Sequence, residues 1–357
     1  MKKLSIDKLM PGMILGRTII NDKMVVILSS GTMLTQAHIT RLEFLNMPFA
    51  YIKDDFELSG NYQVVEIMFN KENAFVKKYN DVVSEANELF ASVGKGENSS
   101  IEKTGEKVKN SLLPTVKESG VIDFLYTLSN ISDSVCHHSV RVSILSGVIG
   151  KWLRFSESKI NDLILAGFLH DIGKTMMPQR IVNRNSKTLK PEDYELYIQH
   201  TINGQKILSD RPGISDGVRA AALQHHEAMD GTGEPFGVSG NDIDEYARII
   251  MIADFYDNIT TEHEGEVKHT PFDAVEMIGK SMFTALDVQI CIPFITNIQN
   301  SFLGSVVGLS DGRRGQIVYY PAGYSTLPII RINDDTVLDL NEERLHNNIN
   351  IIEYNPK

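Results

Sequence analysis

Seven histidine and aspartate residues recur inside or at the ends of apolar, helix-like stretches in the middle of this chain. They are His138, His170, Asp171, His200, His225, His226 and Asp254. Imidazole and carboxylate groups are costly in apolar surroundings unless a partner satisfies them, and a metal ion is the usual partner. Because seven such groups are too many for one tetrahedral ion, the pattern predicts a two-metal centre inside a helical bundle. Such centres usually cleave phosphate esters.

Length and charge narrow the class of protein. The chain has 357 residues, enough for two or three domains, and its formal net charge is −11. A protein that coats nucleic acid needs a basic patch, so we expect no DNA partner. The same net charge repels a phosphate-bearing substrate, which metal ions and a few cationic side chains must therefore attract locally.

Cysteine usage and the N-terminal sequence predict a cytoplasmic protein. The two cysteines, Cys136 and Cys291, form no disulfide framework and suit a reducing compartment. The first residues are a poor signal peptide, since they carry Asp7 and Pro11 and lack a long apolar run. No uninterrupted apolar run in the sequence is long enough to span a bilayer, so we expect no membrane partner.

Hydrophobic periodicity predicts a mainly α protein in four parts. Residues 1–60 indicate a small mixed α/β module, and residues 61–118 indicate a helical connector and linker. Residues 119–304 carry successive helical patterns and predict one all-α helical bundle, which holds all seven candidate residues. Residues 305–357 contain short β-like runs separated by turn sequences, which predict a small β-rich C-terminal extension.

Local signals place three elements in the first module. Met24–Leu28 and Ala50–Ile52 are strand candidates, and Thr35 can cap a helix between them. No constellation of chemically active residues is visible in this module. We therefore expect it to have a structural or regulatory role.

The sequence HDIGK at residues 170–174 ends the most apolar helical pattern. Adjacent residues on a helix point about 100° apart, so His170 and Asp171 can approach different parts of a metal cluster. Asp171 can bridge two cations, and Lys174 would place an ammonium group beside a phosphate oxygen. Gly173 lets the backbone turn away closely. A lone His-Asp pair is more often a satisfied hydrogen bond of the core, but the further histidines reverse that preference.

Three more histidines follow along the chain. His200, taken alone, is more typical of a partly buried core histidine, and the other candidates give it a ligand role. His225 and His226 close a helix before a Gly-rich turn, a geometry that can hold both rings at one cavity. We expect Glu227 or Asp230 to orient one of these rings. The alternative is a helix end with solvated histidines.

Asp254 and His138 are the last and the first of the seven candidate residues in the chain. Asp254 follows five apolar residues and needs a partner, so a ligand role is predicted, whereas Asp257 is expected to be a hydrogen-bonding or exposed group. His138 is preferred to His137 because apolar neighbours share its side. Cys136 lies on a different face, so the set contains only nitrogen and oxygen donors, which suits iron, manganese or zinc. Two such cations, roughly 3.5–4 Å apart, would share a water and neutralise phosphoryl oxygens.

These residues resemble the HD-GYP family, a branch of the HD metal-dependent phosphohydrolases. The resemblance rests on HSVRV at 138–142, HDIGK at 170–174, His200, HHEAMDGTGEP at 225–235 and ADFYD at 253–257, and it covers about half the chain. Members are bacterial phosphodiesterases that linearise cyclic di-GMP and often hydrolyse it further to GMP, and some act on cyclic GMP-AMP. The resemblance implies that all seven histidines and aspartates are metal ligands, with Asp171 and Lys174 catalytic and Lys174 in contact with phosphate.

The chain departs from the family pattern where substrate binds. The Gly-Tyr-Pro signature is Gly233-Glu234-Pro235 here, so a negative charge replaces an aromatic group. The Arg-Pro-Tyr-Arg segment that grips substrate is replaced by His263-Glu264-Gly265-Glu266, with only Lys268 basic nearby. Arg184 stands where the family often has Lys, and we expect Arg184 and Lys268 to bind substrate and compensate in part. Ser134 stands where some members have a Glu that supports a third metal, so we expect two metals.

The sequence therefore favours a metal-dependent phosphodiesterase that converts a cyclic dinucleotide, above all cyclic di-GMP, to pGpG, GMP or both. The altered substrate grip leaves open a catalytically weak or inactive receptor or scaffold, which binds a cyclic dinucleotide or a signalling protein such as a GGDEF-type cyclase. An HD phosphohydrolase that acts on another nucleotide phosphate is the third alternative. A homodimer formed through helices between Val64 and Leu113 is also left open.

Overall fold

The structure is a computed structural model with two compact units, Met1–Tyr79 and Asn80–Lys357. It describes residues 2–15, 19–20, 26–28, 32–45, 47–52, 62–97, 101–118, 120–129, 134–182, 189–261, 269–321, 326–333 and 336–355. The mainly α fold class predicted from the sequence is confirmed. The four-part division of the chain stays a prediction.

The first unit contains a small mixed core. Its short elements are β1 (Lys2–Ser5), β2 (Ile19–Ile20), β3 (Val26–Leu28), α1 (Gln36–Phe44) and β4 (Phe49–Ile52). Strand β1 pairs antiparallel with β4, and β2 pairs antiparallel with β3. Thr35 and His38 form a reciprocal capping box that satisfies main-chain N–H groups at the start of α1. Leu15, Leu34 and Leu42 are buried in the core beneath it.

Three local predictions for this unit have a structural counterpart. The helix cap at Thr35 is confirmed, and the predicted strand Ala50–Ile52 lies within β4. The other predicted strand is confirmed over Val26–Leu28, while residues 24 and 25 lie outside the described part of the chain.

Helices dominate the rest of the chain. Helix α2 spans Tyr62–Gly94. It is followed by α3 (Ile101–Lys117), α4 (Val121–Leu128), α5 (Val135–Trp152), α6 (Glu157–Leu169), α7 (Gln179–Val182), α8 (Pro191–Leu208), α9 (Asp216–Gln224), α10 (Glu245–Thr260), α11 (Pro271–Ser281) and α12 (Val288–Phe302). Within the described residues, no helix combines the length and the apolar character needed to cross a membrane.

Helices α5 and α6 pack closely at the centre of the second unit. The uniformly apolar segment Leu163–Leu169 of α6 is fully buried, as a central helix requires. A Cβ atom at Gly167 would lie 2.7 Å from Ser143 Cα, so only glycine permits this approach. Ser143 Oγ donates a hydrogen bond of 2.6 Å to the main-chain oxygen of Ile164. This packing holds α5, which contains His138, tightly against α6, whose last residue directly precedes His170.

The predicted β-rich extension is confirmed as an antiparallel sheet with strand order β8-β7-β6-β5-β9. Its elements are β5 (Val306–Leu309), β6 (Arg314–Tyr319), β7 (Ile329–Asn333), β8 (Thr336–Asp339), α13 (Leu340–Asn347) and β9 (Ile351–Asn355). Helix α13 and strand β9 were not predicted from the sequence. The hydroxyl of Tyr354 in β9 donates a hydrogen bond to Asp123 in α4, and both side chains are buried, so the sheet is anchored to the helices.

Candidate metal centre

The candidate metal centre is built around the end of α6. His170 and Asp171 follow the last helical residue and are 0% and 1% exposed, and the chain then turns into a 3-10 helix over Ile172–Met176. A Cβ atom at Gly173 would lie 1.9 Å from the main-chain oxygen of His200. Glycine at this position therefore lets α8 approach closely enough to place His200 beside Asp171.

Candidate ligand atoms converge in two groups within the described residues. One group is His138, His170 and Asp171, and the other is His200, His225 and His226. In each group, one donor atom from every residue lies within 4.8 Å of the others. Asp254 joins the first group, because its Oδ1 atom is 2.9 Å from His138 Nε2 and 3.9 Å from His170 Nε2. The fold thus brings together all seven residues identified from the sequence.

Asp171 lies between the two groups. Its Oδ2 atom is 3.4 Å from His170 Nε2 and 3.7 Å from His138 Nε2. Its Oδ1 atom is 3.2 Å from His200 Nε2 and 3.7 Å from His225 Nε2. One oxygen of the carboxylate faces each group, which is the arrangement that a bridging carboxylate requires.

Three of the histidine rings are oriented through Nδ1, the ring nitrogen that does not face the centre. The Nδ1 atoms of His170, His200 and His225 each lie within hydrogen-bond distance of a main-chain carbonyl oxygen about one helical turn earlier. For His170 this oxygen belongs to Gly167 and is 2.8 Å away. A hydrogen bond to a carbonyl places the ring proton on Nδ1, so the lone pair of Nε2 is directed to the centre.

His138 is oriented by a carboxylate that the sequence analysis assigned no ligand role. Its Nδ1 atom lies 2.8 Å from Asp257 Oδ2, and Asp257 in turn accepts hydrogen bonds from Arg141 Nε at 2.7 Å and Nη2 at 3.0 Å. Asp257 is therefore the hydrogen-bonding group that was predicted. Arg141 is 1% exposed and was missed. The available signal was its position three residues after His138, on the same face of α5.

The electrostatics of the histidines fit metal ions. Burial lowers the pKa of His200 to about 4 and also lowers the pKa of His170 and His226. Their rings are therefore neutral, which is the form that binds a metal. The Nε2 atoms of His170 and His226 are buried and have no hydrogen-bond partner among the described residues. Buried acceptors are rarely left in this state, and a cation in each of the two groups would satisfy them.

The buried carboxylates of the centre require positive charge close to them. Burial opposes the charged form of His138, but hydrogen bonds with Asp254 and Asp257 outweigh it and raise the pKa of His138 to about 9. Burial also opposes ionisation of Asp171, yet the charge of Lys174 beside it holds the pKa of Asp171 well below its usual range. Ionised carboxylates at this depth need either protons on their neighbours or metal cations.

Lys174 lies at the edge of the centre. Its ammonium nitrogen is 2.6 Å from Asp171 Oδ2 and 5.2 Å from the centroid of the Tyr197 ring, and its side chain is 11% exposed. Sulfur takes no part in either group within the described residues. Burial raises the pKa of the Cys136 thiol to about 11, so it remains a thiol rather than a thiolate.

The expected ring-orienting role of Glu227 or Asp230 was wrong. Glu227 is 3% exposed, and its carboxylate accepts hydrogen bonds from the main-chain N–H groups of Phe236 and Val238 at 2.9 and 3.0 Å. It therefore closes the loop of residues 227–238. Asp230 accepts hydrogen bonds from Thr232 and stabilises a local turn at the surface.

Glu234, the residue in place of the family tyrosine, has a partner on α8. The Tyr194 hydroxyl donates a hydrogen bond of 2.7 Å to Glu234 Oε2. Burial and this hydrogen bond raise the pKa of Tyr194 to about 12, so its hydroxyl stays protonated and remains a donor. The charge of Glu234 was evident from the sequence, but its contact with Tyr194 was not, because Tyr194 is distant in sequence.

Three further residues were identified from the sequence, and two of them lie outside the described part of the chain. Arg184 and Lys268, which we expected to bind substrate, lie outside the described residues, so their role stays a prediction. Ser134 is the residue that precedes the first turn of α5.

Comparison with known proteins shows which proteins this chain is similar to. Residues 127–290 match the HD domain family. A cyclic di-GMP phosphodiesterase from Pseudomonas aeruginosa is 32% identical over 181 residues, which cover 51% of this chain and 43% of that protein. A cyclic di-GMP phosphodiesterase from Thermotoga maritima is 36% identical over 160 residues, covering 44% of this chain and 42% of that protein. The chain thus spans less than half the length of these curated relatives.

Two further comparisons concern substrate range and fold. A 3'3'-cGAMP-specific phosphodiesterase from Vibrio cholerae is 31% identical over 150 residues, covering 42% of this chain and 32% of that protein. A solved structure described as an HDG"Y"P protein from Bdellovibrio bacteriovorus covers 84% of this chain and 99% of its own, with a TM-score of 0.55 and 21% identity. At that identity, the structural likeness shows the fold.

Proposed function

We propose that this chain, which carries an HD domain of the HD-GYP type, is a metal-dependent phosphodiesterase that hydrolyses a cyclic dinucleotide. The names of the similar Pseudomonas and Thermotoga proteins support cyclic di-GMP as the substrate. Linear pGpG, GMP or both are the proposed products. The observation that carries the proposal is the position of Asp171, with one oxygen toward each group of histidines.

The seven residues are proposed to hold two metal ions. His138, His170 and Asp254 would bind one ion, His200, His225 and His226 the other, and Asp171 both. Metal ions bound there lower the pKa of a water and offset charge on phosphoryl oxygens. The donor set contains nitrogen and oxygen but no sulfur, which supports iron or manganese, with zinc as the remaining candidate.

The other residues of the site would position these ligands and the substrate. Arg141 and Asp257 hold the His138 ring, so that its Nε2 atom stays directed to the centre. Lys174 provides an ammonium group beside Asp171, where a phosphoryl oxygen would meet a fixed positive charge. Arg184 and Lys268 are proposed to contribute further positive charge to substrate binding.

The direct test measures metal content and turnover on the same sample. Anaerobically purified protein should contain two transition-metal ions per chain by elemental analysis and should cleave cyclic di-GMP, as followed by chromatography. Asp171→Ala should lose bound metal and reduce turnover by at least about 1000-fold, because it removes the residue shared by both groups. The matched control Asp210→Ala, at an exposed turn after α8, should behave as wild type.

Other outcomes distinguish the alternatives. The proposal fails if metal-loaded protein leaves cyclic di-GMP and cyclic GMP-AMP intact while a verified relative cleaves them in the same buffer. Binding without cleavage would indicate a receptor or scaffold, which the negative charge of Glu234 favours. Cleavage of another nucleotide in a panel would indicate a different phosphohydrolase. A GGDEF-type cyclase as partner, a homodimer and a cytoplasmic location stay predictions.

A further inference from the structure

A row of aromatic rings connects the histidines of the centre to Glu234. The buried ring of Tyr197 lies 5.0 Å from the ring of His200 and 5.9 Å from that of His226, measured between centroids. Tyr194 stacks on Tyr197 with a centroid distance of 6.3 Å and an interplanar angle of 23°, and it is 36% exposed. Because Tyr194 also holds Glu234, the carboxylate is fixed at the solvent-facing end of this row.

A carboxylate at this place cannot serve the phosphates of a cyclic dinucleotide, since like charges repel. It accepts hydrogen bonds and donates none, so it is complementary only to a part of the substrate that presents N–H groups. Guanine presents two adjacent donors, N1–H and N2–H, on its Watson–Crick edge. Adenine presents one donor beside the lone pair of N1, which would face the carboxylate. Glu234 therefore has the chemistry to distinguish these two bases.

The surroundings of Glu234 suit a base as its ligand. Its Oε2 atom accepts the hydrogen bond of Tyr194, while its Oε1 atom has no hydrogen-bond partner in the part of the chain that the structure describes. Phe236, two residues further along the same loop, is 63% exposed. Exposed aromatic faces stack on any nucleobase, so they add affinity without choosing between bases. Discrimination between bases therefore depends on the carboxylate of Glu234.

We propose that Glu234, positioned by Tyr194, accepts hydrogen bonds from N1–H and N2–H of one guanine and so selects guanine-containing cyclic dinucleotides over cyclic di-AMP. This inference rests on the proposed function, which brings a cyclic dinucleotide to the site. One carboxylate binds one base. Cyclic di-GMP and cyclic GMP-AMP therefore both satisfy Glu234, and cyclic di-AMP does not.

The test compares two ligands with the same phosphates in each variant. Dissociation constants of cyclic di-GMP and cyclic di-AMP are measured on the metal-loaded full chain, by calorimetry at low temperature. Wild type should favour cyclic di-GMP by about tenfold or more, and Glu234→Gln should bring this ratio close to one. The absolute dissociation constants do not test base selection, because Glu234→Gln also removes the repulsion between the carboxylate and the phosphates of both ligands. Taking the ratio within each variant cancels any partial loss of metal.

Two further variants complete the experiment. Tyr194→Phe keeps the stacked ring but releases the carboxylate, so it should lower the ratio by less than Glu234→Gln does, and it tests the idea independently if Glu234→Gln does not fold. Glu195→Gln makes the same charge change at an exposed neighbour and should keep the wild-type ratio. Equal binding of both ligands by wild type, or an unchanged ratio in Glu234→Gln, overturns the inference. Wild-type hydrolysis of bis(p-nitrophenyl) phosphate, which carries no base, tests the proposed function separately.

Discussion

The buried candidate metal centre and the loop of residues 227–238, which begins directly after His226, differ in how their side chains are held. In the centre, the rings of His170, His200 and His225 are fixed by main-chain carbonyl groups, and Asp171 is enclosed among them. In the loop, Glu234 faces the solvent side and is held by one tyrosine hydroxyl. The centre keeps the residues of the family pattern, whereas the loop departs from it. Under the proposed function, catalytic chemistry and substrate choice would thus be carried by separate sets of side chains.

The largest expected effect comes from disturbing the interior. Arg141→Met removes the cation that forms a bidentate ion pair with the buried Asp257. Leaving a buried charge uncompensated costs about 3–5 kcal/mol, so the free energy of unfolding should fall by that amount. Metal affinity should also fall by about 10- to 100-fold, because His138 loses its fixed orientation. Chemical denaturation and metal titration measure the two quantities.

A surface pair provides the control for this variant. Arg314→Met breaks the half-exposed ion pair with Glu353 in the C-terminal sheet, which should change the free energy of unfolding by no more than about 1 kcal/mol. If Arg141→Met is no more destabilising than Arg314→Met and binds metal as wild type does, Arg141 has no positioning role and the interior is less constrained than we infer.

A smaller effect is expected at the border between the two regions. Lys174→Met should lower kcat by about 100-fold, or about 2.7 kcal/mol, because it removes a fixed charge that a phosphoryl oxygen would meet. Metal content should stay near that of wild type, since Lys174 is not among the candidate ligands. Steady-state kinetics with elemental analysis measure both. The exposed control Lys206→Met should leave kcat unchanged, and an equal drop in metal content and kcat in Lys174→Met would argue against a direct role.

The smallest effect should come from loosening the loop alone. Glu227→Gln weakens the bonds to Phe236 N and Val238 N, so KM for cyclic di-GMP should rise by about tenfold. Metal content and kcat should stay within about twofold of wild type, because the Glu227 carboxylate is hydrogen-bonded to loop main chain and is not in either group of candidate ligands. Substrate titrations test this, with the exposed Glu192→Gln as control. Loss of metal in Glu227→Gln would show that loop and centre are not separable.

Much of the centre was predictable because each candidate ligand violates the local pattern around it. A histidine or aspartate in an apolar helix stands out in the sequence, as Asp254 and His170 do. The mainly α class and the β-rich extension followed from periodicity and turn residues for the same local reason.

What the sequence did not show depends on contacts between distant segments. Arg141 was not singled out in the sequence, because its partner Asp257 lies in a different helix, α10. The hydrogen bond between Tyr194 and Glu234 joins α8 to a loop that local signals cannot relate to it. Helix α13 was missed because its sequence is mostly polar, with Leu340 its one fully buried residue.

The main-chain anchoring of His170, His200 and His225 has an evolutionary consequence. A carbonyl oxygen is present whatever side chain its residue carries, so substitutions at the anchoring positions do not remove the bond that orients each ring. Substitutions around these three histidines therefore leave the anchoring of their rings intact, and under the proposed function a change of ligand preference would require changes in the loop alone.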